Sequence, residues 1–213
     1  MSWLCKIVDI FYPRFCYHCG RMGEFLCDQG YNELNFLTAP IKLTLPTVYL
    51  DQAQALLAYE PLVAKMIHQY KYNGVRDLSA TFAFWLYQFL PLPEVDALTY
   101  IPLHRKRLQE RGYNQARLIA SALAQKLALP CLPALKRTIY RDKQALSKNA
   151  AERLTKSAHI FAPQNAAIWS KKYPRILIID DVLTTGATLN EAARILKENG
   201  FAKVYGVALA HSD

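Results

Sequence analysis

The chain has 213 residues, of which 52% are hydrophobic and 20% are charged. This composition supports a packed core and excludes wholesale disorder, and the length suits one large domain or one domain with a small appendage. The 26 Lys and Arg residues outnumber the 17 Asp and Glu residues, for a net charge of +9. We therefore expect an anionic partner: a nucleic acid, a phosphorylated metabolite or an acidic membrane surface.

The N-terminal segment lacks the features of an export signal, because no basic region precedes its apolar run and no small-residue cleavage site follows. The longest uncharged stretch, 78–93, contains two prolines and is shorter than the roughly 20 residues that a membrane-spanning helix needs. We expect a cytoplasmic protein without a transmembrane segment, although peripheral membrane contact stays open. Because the cytoplasm is reducing, we expect its five cysteines to be free thiols or metal ligands rather than disulfides.

Four of the five cysteines lie in the first 27 residues. The segment 37–47 follows, and its two prolines disfavour a continuous helix. We predict a small cysteine module over residues 1–36, a linker over 37–47 and the main domain over 48–213.

The module contains a zinc-type knuckle, since Cys16 and Cys19 form a Cys-x-x-Cys pair and Cys27 follows eight residues later. Zinc takes four nitrogen or sulfur ligands in a tetrahedron, and a short spacing lets one turn supply two of them. The sequence thus predicts a zinc-ribbon-like site with three evident ligands. The alternative is a degenerate ribbon whose cysteines bind no metal.

Three residues are candidates for a fourth ligand. Cys5 lies eleven residues upstream of the knuckle and can fold back onto it. His18 lies inside the knuckle, where we expect its side chain to point away, and Asp28 is a hard ligand in a soft site. Cys5 is therefore the predicted fourth ligand.

From about residue 48 the pattern alternates strands and helices. The predicted strands cover 53–59, 97–103, 174–181 and 203–210, and the predicted helices begin at Pro61 and cover 76–90, 114–128 and 188–199. The run 174–181 is almost fully apolar, as in a central parallel strand that is covered on both faces. This alternation predicts an α/β fold with a mostly parallel sheet and flanking helices.

The most informative segment is ILIIDDVLTTGAT, residues 176–188. Asp180 and Asp181 end an apolar strand, and open α/β sheets place their ligands at that edge. The small residues that follow can expose backbone N–H groups at a helix N-terminus, which favours an anion. Two carboxylates beside an anion nest suit a sugar phosphate, whereas the bland alternative is a strand, turn and helix without a ligand.

This segment resembles the signature of the type I phosphoribosyltransferases. The resemblance implies that Asp180 and Asp181 contact the ribose hydroxyls of phosphoribosyl pyrophosphate (PRPP), which binds with Mg²⁺. The 5′-phosphate would be cradled by Thr184, Thr185, Gly186, Ala187 and Thr188. The loop after the strand 97–103 holds the pyrophosphate in that fold, which makes candidates of Leu103, His104 and Arg105. Members that act on 6-oxopurines usually carry an acid where Thr184 stands, which weakens a purine-salvage interpretation.

Positive charge is concentrated in residues 103–157, which hold thirteen basic and three acidic side chains, a net charge of +10. Residues 136–148 are expected to form a hood over the site. Basic residues near Tyr140 suit either a pyrophosphate or a single DNA strand held by phosphate contacts and base stacking. The candidates for either role are Arg107, Arg111, Lys136, Arg137, Arg141 and Lys143.

The segment Arg111-Gly112-Tyr113-Asn114-Gln115, the upstream Tyr70-Lys71-Tyr72 and the N-terminal cysteines together resemble the ComF family of competence-associated proteins. The resemblance spans essentially the whole chain and implies a role in processing single-stranded DNA during natural transformation, with competence-machinery proteins as further partners. Family members usually complete the module with a second Cys-x-x-Cys, but this chain has Gly30 at the last position of that motif.

Two other functions stay open at this point. The chain could be a metabolic phosphoribosyltransferase that acts on a free nucleobase, in which case the basic segment serves only pyrophosphate. It could also be a regulator that keeps the ligand site without catalysis. Neither the acceptor base nor the oligomeric state can be predicted from these residues.

Overall fold

Strands and helices alternate along the chain in the computed structural model, which describes residues 14–139 and 160–212. The strands are β1 (Gln52–Ala58), β2 (Ala97–Tyr100), β3 (Leu135–Arg137), β4 (Phe161–Pro163), β5 (Arg175–Leu183) and β6 (Lys203–His211). The helices are α1 (Asp28–Asn32), α2 (Pro61–Tyr72), α3 (Leu78–Phe89), α4 (Arg105–Arg111), α5 (Gln115–Leu127), α6 (Ala166–Lys172) and α7 (Ala187–Glu198). The predicted α/β class is confirmed.

The central sheet has four parallel strands in the order β1-β6-β5-β2. Its middle strand β5 places four consecutive buried residues, 176–179, between its two neighbours. Such a run is apolar on both sides because helices cover both faces of a parallel sheet. Strands β3 and β4 form a separate antiparallel pair.

Alternate residues of β5 point into two different cores. Leu177 and Ile179 pack in one cluster with residues of α2, α3 and α5, whereas Ile176 and Ile178 pack in the other with residues of α7. The long helix that follows β2 and the helix that follows β5 therefore lie on opposite faces of the sheet. Because the chain leaves these two adjacent strands in opposite directions, a crevice opens at their carboxyl ends.

Three elements differ from the prediction at this edge. Strand β5 continues to Leu183, so the acidic pair lies within the strand rather than at its end. Strand β2 ends at Tyr100, and the basic segment that was predicted to be a turn forms α4. The His104 ring caps that helix by accepting from the Lys106 N–H at 3.3 Å, and the left-handed Gly112 ends it at φ 79°.

The segment 37–47, predicted to be a linker, lies against the main domain. The Leu37 N–H donates to the Leu56 carbonyl at 2.8 Å, and the Ile41 N–H donates to Ala53 at 2.7 Å, so the segment follows the outer edge of β1. Further along, the Asn190 side chain of α7 donates to the Thr47 carbonyl at 2.8 Å. The domain boundaries at 36 and 47 stay predictions.

Within 14–139 and 160–212, no helix has the length and apolar character that crossing a membrane requires. Three of the predicted site residues, Cys5, Arg141 and Lys143, lie outside the described residues.

Candidate functional site

A cleft of about 190 Å³ opens at the carboxyl ends of β2 and β5. Asp180 and Asp181 of β5 form part of its wall, together with Ile101 and Leu103 from the loop after β2. The register explains this meeting, because the Ile101 N–H donates to the Ile179 carbonyl at 3.0 Å and so brings the loop level with the acidic pair. The crevice that the topology predicts thus holds the two carboxylates.

The cleft brings together residues that are far apart in the sequence. The predicted site residues in its lining are Leu103, Arg107, Arg111, Arg137, Asp180, Asp181 and Thr188. Others are not in this lining: Thr184 and Thr185 are exposed on the turn between β5 and α7, Ala187 is exposed as the first residue of α7, and Arg105 and Lys136 are exposed on α4 and β3. His104 serves as the cap of α4.

Asp181 is the most enclosed acid of the cleft, with only 6% of its surface exposed. The Lys71 ammonium, at the end of α2, lies 2.6 Å from its Oδ1, and the Gln115 amide donates to its Oδ2 at 2.5 Å. A buried carboxylate requires such partners, because an unpaired buried charge is strongly destabilising. The two contacts fix the orientation of the carboxylate in the wall of the cleft.

Asp180 is held differently. Its Oδ1 accepts the Asp181 backbone N–H at 2.8 Å. Burial and the nearby charge of Asp181 raise the pKa of Asp180 to about 7, although Lys71 and Arg137 act in the opposite direction. Ionisation of Asp180 is therefore disfavoured beside Asp181.

Lys71 and Gln115 were not among the predicted site residues, yet both contact Asp181. Two tyrosines hold them there. The Tyr70 hydroxyl donates to the Gln115 carbonyl at 2.8 Å, and the Tyr113 hydroxyl donates to the Tyr70 carbonyl. The signal for both residues was present in the sequence, since they belong to the Tyr-Lys-Tyr and Arg-Gly-Tyr-Asn-Gln segments.

Asn114 joins the same wall of the cleft to the loop after β2. Its side-chain amide donates to the Ile101 carbonyl at 3.0 Å, and its Oδ1 accepts the Arg117 N–H at 3.1 Å as the cap of α5. The segment 111–115 thus ends one helix, begins the next and orients Gln115 toward Asp181. Its residues act as one structural unit.

The turn before α7 depends on a glycine. Gly186 has φ +77°, and a side chain there would lie 2.5 Å from Leu43 of the segment 37–47. Glycine is favoured in this left-handed conformation, and no other residue fits under Leu43 without a shift. The turn presents the exposed Thr184 and Thr185 ahead of a twelve-residue helix, whose first N–H groups have no partner inside the helix.

Basic side chains dominate the remaining wall. Lys71, Arg107, Arg111 and Arg137 face the two carboxylates. The Arg111 guanidinium lies 5.0 Å from the centre of the Tyr72 ring, so an aromatic face borders the charged cleft. The excess of cations favours a ligand that carries several negative charges.

A second cluster lies in the cysteine module. The sulfurs of Cys16, Cys19 and Cys27 lie within 4.8 Å of one another. The N–H groups of Cys19 and Cys27 lie 3.5 and 3.2 Å from the Cys16 sulfur. Burial alone would raise the pKa of Cys16, but these N–H groups and that of His18 outweigh it and lower the pKa to about 6. Three convergent sulfurs of which one is readily ionised suit a zinc ion.

The prediction that His18 points away from this cluster is wrong. Its Nδ1 lies 3.5 Å from the Cys27 sulfur, and its Nε2 lies 2.9 Å from Glu33 Oε1.

Comparison with known proteins finds relatives that are named for competence or for DNA utilization. The family model "Phosphoribosyl transferase domain" matches residues 114–212. Competence protein F of Haemophilus influenzae is 27% identical over 206 residues, which cover 92% of this chain and 85% of that protein. Competence protein ComFC of Bacillus subtilis is 32% identical over 164 residues, with coverages of 73% and 62%. DNA utilization protein YhgH of Escherichia coli K12 is 29% identical over 227 residues, with coverages of 96% and 93%.

The chain therefore spans less than two thirds of ComFC and most of the other two relatives. The domain match begins at Asn114, the cap of α5, and includes the whole of β5, the turn and α7. The cleft, the cysteine cluster and these relatives lead to one conclusion: the chain belongs to the ComF family of competence-associated proteins.

Proposed function

We propose that the cleft binds PRPP together with Mg²⁺, and that the protein handles single-stranded DNA in a ComF-type competence role. The observation that carries the proposal is the acidic pair Asp180 and Asp181 between basic side chains, one turn before the N-terminus of α7. A ligand that satisfies this arrangement needs hydroxyl groups for the acids and phosphates for the basic residues and the helix. A phosphorylated pentose has both.

The ribose hydroxyls would donate to the carboxylates. Asp181 is already fixed by Lys71 and Gln115, so little ordering is required when the ligand binds. In the part of the chain that the structure describes, the buried Gln115 Oε1 has no hydrogen-bond partner. Leaving a buried acceptor unpaired is unfavourable, and a ligand hydroxyl beside Asp181 would supply the missing donor.

The 5′-phosphate would lie on the turn 184–188. The hydroxyls of Thr184, Thr185 and Thr188 are exposed there, and the helix dipole of α7 favours an anion at its first turn. Gly186 lets the backbone turn back under Leu43 and so sets the direction in which the turn faces.

The pyrophosphate would face Arg107, Arg111 and Arg137. Guanidinium groups match phosphate oxygens with paired hydrogen bonds. Mg²⁺ is commonly held through substrate phosphates and water with few protein ligands, so the ion would enter with PRPP. Bound to the pyrophosphate, it would neutralise part of the ligand's charge.

Binding can be tested by thermal denaturation of the full-length protein with PRPP and Mg²⁺. A ligand at 100 times its dissociation constant stabilises the native state by about 2.7 kcal/mol. We expect this stabilisation in the wild type and in an Asp77→Ala control, whose exposed carboxylate lies outside the cleft, and not in Asp181→Ala. Equal stabilisation of all three proteins would contradict the proposed site.

A panel of nucleobases distinguishes binding from transfer. Base-dependent release of pyrophosphate would assign a phosphoribosyltransferase activity to the cleft. Stabilisation by PRPP without release would assign a ligand-binding role. Thr184 is exposed but has no carboxylate, so position 184 offers no group that could exchange a proton with a nucleobase.

Two observations support the DNA part of the proposal. Arg105 and Lys136 are exposed on α4 and β3, the elements that bring Arg107 and Arg137 into the cleft, and Tyr72, 50% exposed, lies against Arg111. An accessible ring beside a cation, together with further exposed cations, suits a single strand, whose phosphates bind the cations while its bases stack. The relatives are named for competence and for DNA utilization, which is the same context.

The DNA role is tested by fluorescence anisotropy with a labelled single-stranded oligonucleotide in a salt series. Affinity should fall steeply with salt, and Arg105→Gln and Lys136→Gln should each reduce the slope of log affinity against log salt by about one. Affinity that is independent of salt, or absent at low salt, would contradict this part while leaving the PRPP site untouched.

A further inference from the structure

The cysteine module lacks the last cysteine of the second Cys-x-x-Cys that is usual in the ComF family. Position 30 is Gly in the sequence Cys27-Asp28-Gln29-Gly30, so the thiol that would complete a four-cysteine site is missing. We propose that His18 replaces it, and that the module is a zinc site with three cysteines and the His18 Nδ1 as its ligands.

The His18 side chain occupies the space that a residue 30 side chain would need. A Cβ at Gly30 would lie 2.6 Å from the His18 Cβ and 3.0 Å from its Cγ. It would also lie 2.7 Å from a methyl group of Leu26. The distances of 2.6 and 2.7 Å are shorter than stable contacts between carbon atoms. A side chain at position 30 and the present position of the His18 Cβ therefore exclude each other, so the ring lies where a residue 30 thiol cannot.

The distance from His18 to the cluster suits a shared metal. Zinc bonds of about 2.0–2.3 Å in a tetrahedron place neighbouring nitrogen and sulfur ligands roughly 3.6 Å apart. The His18 Nδ1 lies 3.5 Å from the Cys27 sulfur. The three sulfurs lie within 4.8 Å of one another, whereas His18 lies outside that group, so its ring would have to move from Cys27 toward the other two sulfurs when an ion binds. Three thiolates and an imidazole are a common structural zinc set.

Glu33 provides the support that a metal-binding histidine needs. Its Oε1 lies 2.9 Å from the His18 Nε2. With the proton on Nε2 donated to this carboxylate, Nδ1 is left as the free base that binds a metal. Such carboxylate partners fix the tautomer and the ring orientation of metal-binding histidines.

Helix α1 organises this arrangement. Cys27 precedes its first residue, Gly30 leaves room for the His18 ring, and Glu33 follows its last residue. One short helix thus supplies a ligand, the space for a second ligand and the carboxylate that orients it. The exposed Cys19 and the buried Cys16 approach from the knuckle on the other side.

The experiment measures zinc content and Co²⁺ absorption of the full-length protein. We expect one zinc per chain, and a Co²⁺ spectrum typical of a tetrahedral site with three thiolates and one nitrogen. His18→Ala should weaken zinc affinity by more than ~100-fold, and Glu33→Gln by about 10- to 100-fold. His68→Ala is the matched control, because that ring packs at a tilt against Tyr72 in α2, outside the cysteine cluster, and its removal should leave zinc affinity unchanged.

If His18→Ala alone does not fold, a double variant can still test whether His18 is the fourth ligand. His18→Gly combined with Gly30→Cys rebuilds the second Cys-x-x-Cys, because glycine at position 18 removes the Cβ that lies 2.6 Å from a side chain at position 30, and the Leu26 methyl group at 2.7 Å ends a flexible side chain that can move aside. It should restore zinc binding and shift the Co²⁺ spectrum to that of four thiolates. Gly30→Cys alone should fail to do so, because it clashes with His18.

Three outcomes would overturn the proposal. The first is a His18→Ala protein that keeps the affinity and the Co²⁺ spectrum of the wild type. The second is the loss of those properties in Cys5→Ser instead, which would identify Cys5 as the fourth ligand. The third is a wild-type protein that binds neither zinc nor Co²⁺.

Discussion

Replacing Asp180 by Asn should stabilise the folded protein while weakening its affinity for PRPP. The side chain keeps its shape but loses the charge that burial and Asp181 make unfavourable in the folded state. Residues that serve a ligand are often held at such a disadvantage, since the ligand rather than the fold requires the charge.

The magnitude follows from the two pKa values of Asp180, 3.8 when unperturbed and about 7 in the folded protein. A tenfold change in proton affinity corresponds to about 1.4 kcal/mol, so ionised Asp180 lowers the free energy of unfolding by up to ~4 kcal/mol above pH 7. Below about pH 4, Asp180 is protonated in both the folded and the unfolded protein, so it no longer lowers the free energy of unfolding. The wild type therefore loses this part of its free energy of unfolding progressively as the pH rises from about 4 to 7. Local relaxation reduces the effect, and we expect Asp180→Asn to gain about 1–3 kcal/mol near pH 8.

Urea denaturation of both proteins between about pH 5 and 8 measures this difference. The gain from Asp180→Asn should grow with pH. Asp51→Asn at the opposite edge of the sheet is the control of opposite sign. Burial raises the pKa of Asp51, but bonds from Lys197, the Val204 N–H and Lys203 outweigh it and lower the pKa. Its charge therefore stabilises the fold above the ordinary Asp pKa, and that stability is lost as pH falls. A loss of stability in Asp180→Asn near pH 8, or a gain that does not change with pH, would show that the charge of Asp180 does not destabilise the fold.

Two further substitutions test the walls of the cleft. Gly186→Ala should lose about 1–2 kcal/mol of stability from backbone strain, and more from the clash with Leu43. Gly74 has φ +72°, and a Cβ there would meet nothing within 4 Å, so Gly74→Ala should lose only the stability that backbone strain costs. Equal losses of stability in urea titrations of the two variants would argue against the clash with Leu43. Gln115→Leu should weaken PRPP binding in calorimetry by about tenfold or more, because it removes a hydrogen bond beside a charged group. Unchanged affinity would remove Gln115 from the ligand contacts.

The elements of the main domain could be predicted because their signals are local. Apolar runs identify β5 and β6, and helical periodicity identifies α5. The acidic pair and the turn at 184–188 are contiguous, so their common edge was also predictable. Strand β5 nevertheless runs three residues past the first acid, since Val182 and Leu183 still pair with β6.

The contacts between distant segments could not be predicted in the same way. Gln115 reaches Asp181 across 66 residues, and Asn190 reaches Thr47 across 143. These contacts depend on strand order and on the face to which each helix packs, which no local pattern encodes. His18 shows the same limit at short range. Its position depends on the missing side chain at Gly30, which is twelve residues away and acts only through packing.

If the acidic pair and the basic cleft form one PRPP site, calorimetric titration of the full-length protein with PRPP and Mg²⁺ should detect it. We expect saturable binding of one PRPP per chain, abolished in Asp181→Ala and retained in the Asp77→Ala control. Absence of binding by the wild type, or binding by Asp181→Ala with unchanged affinity, would contradict it.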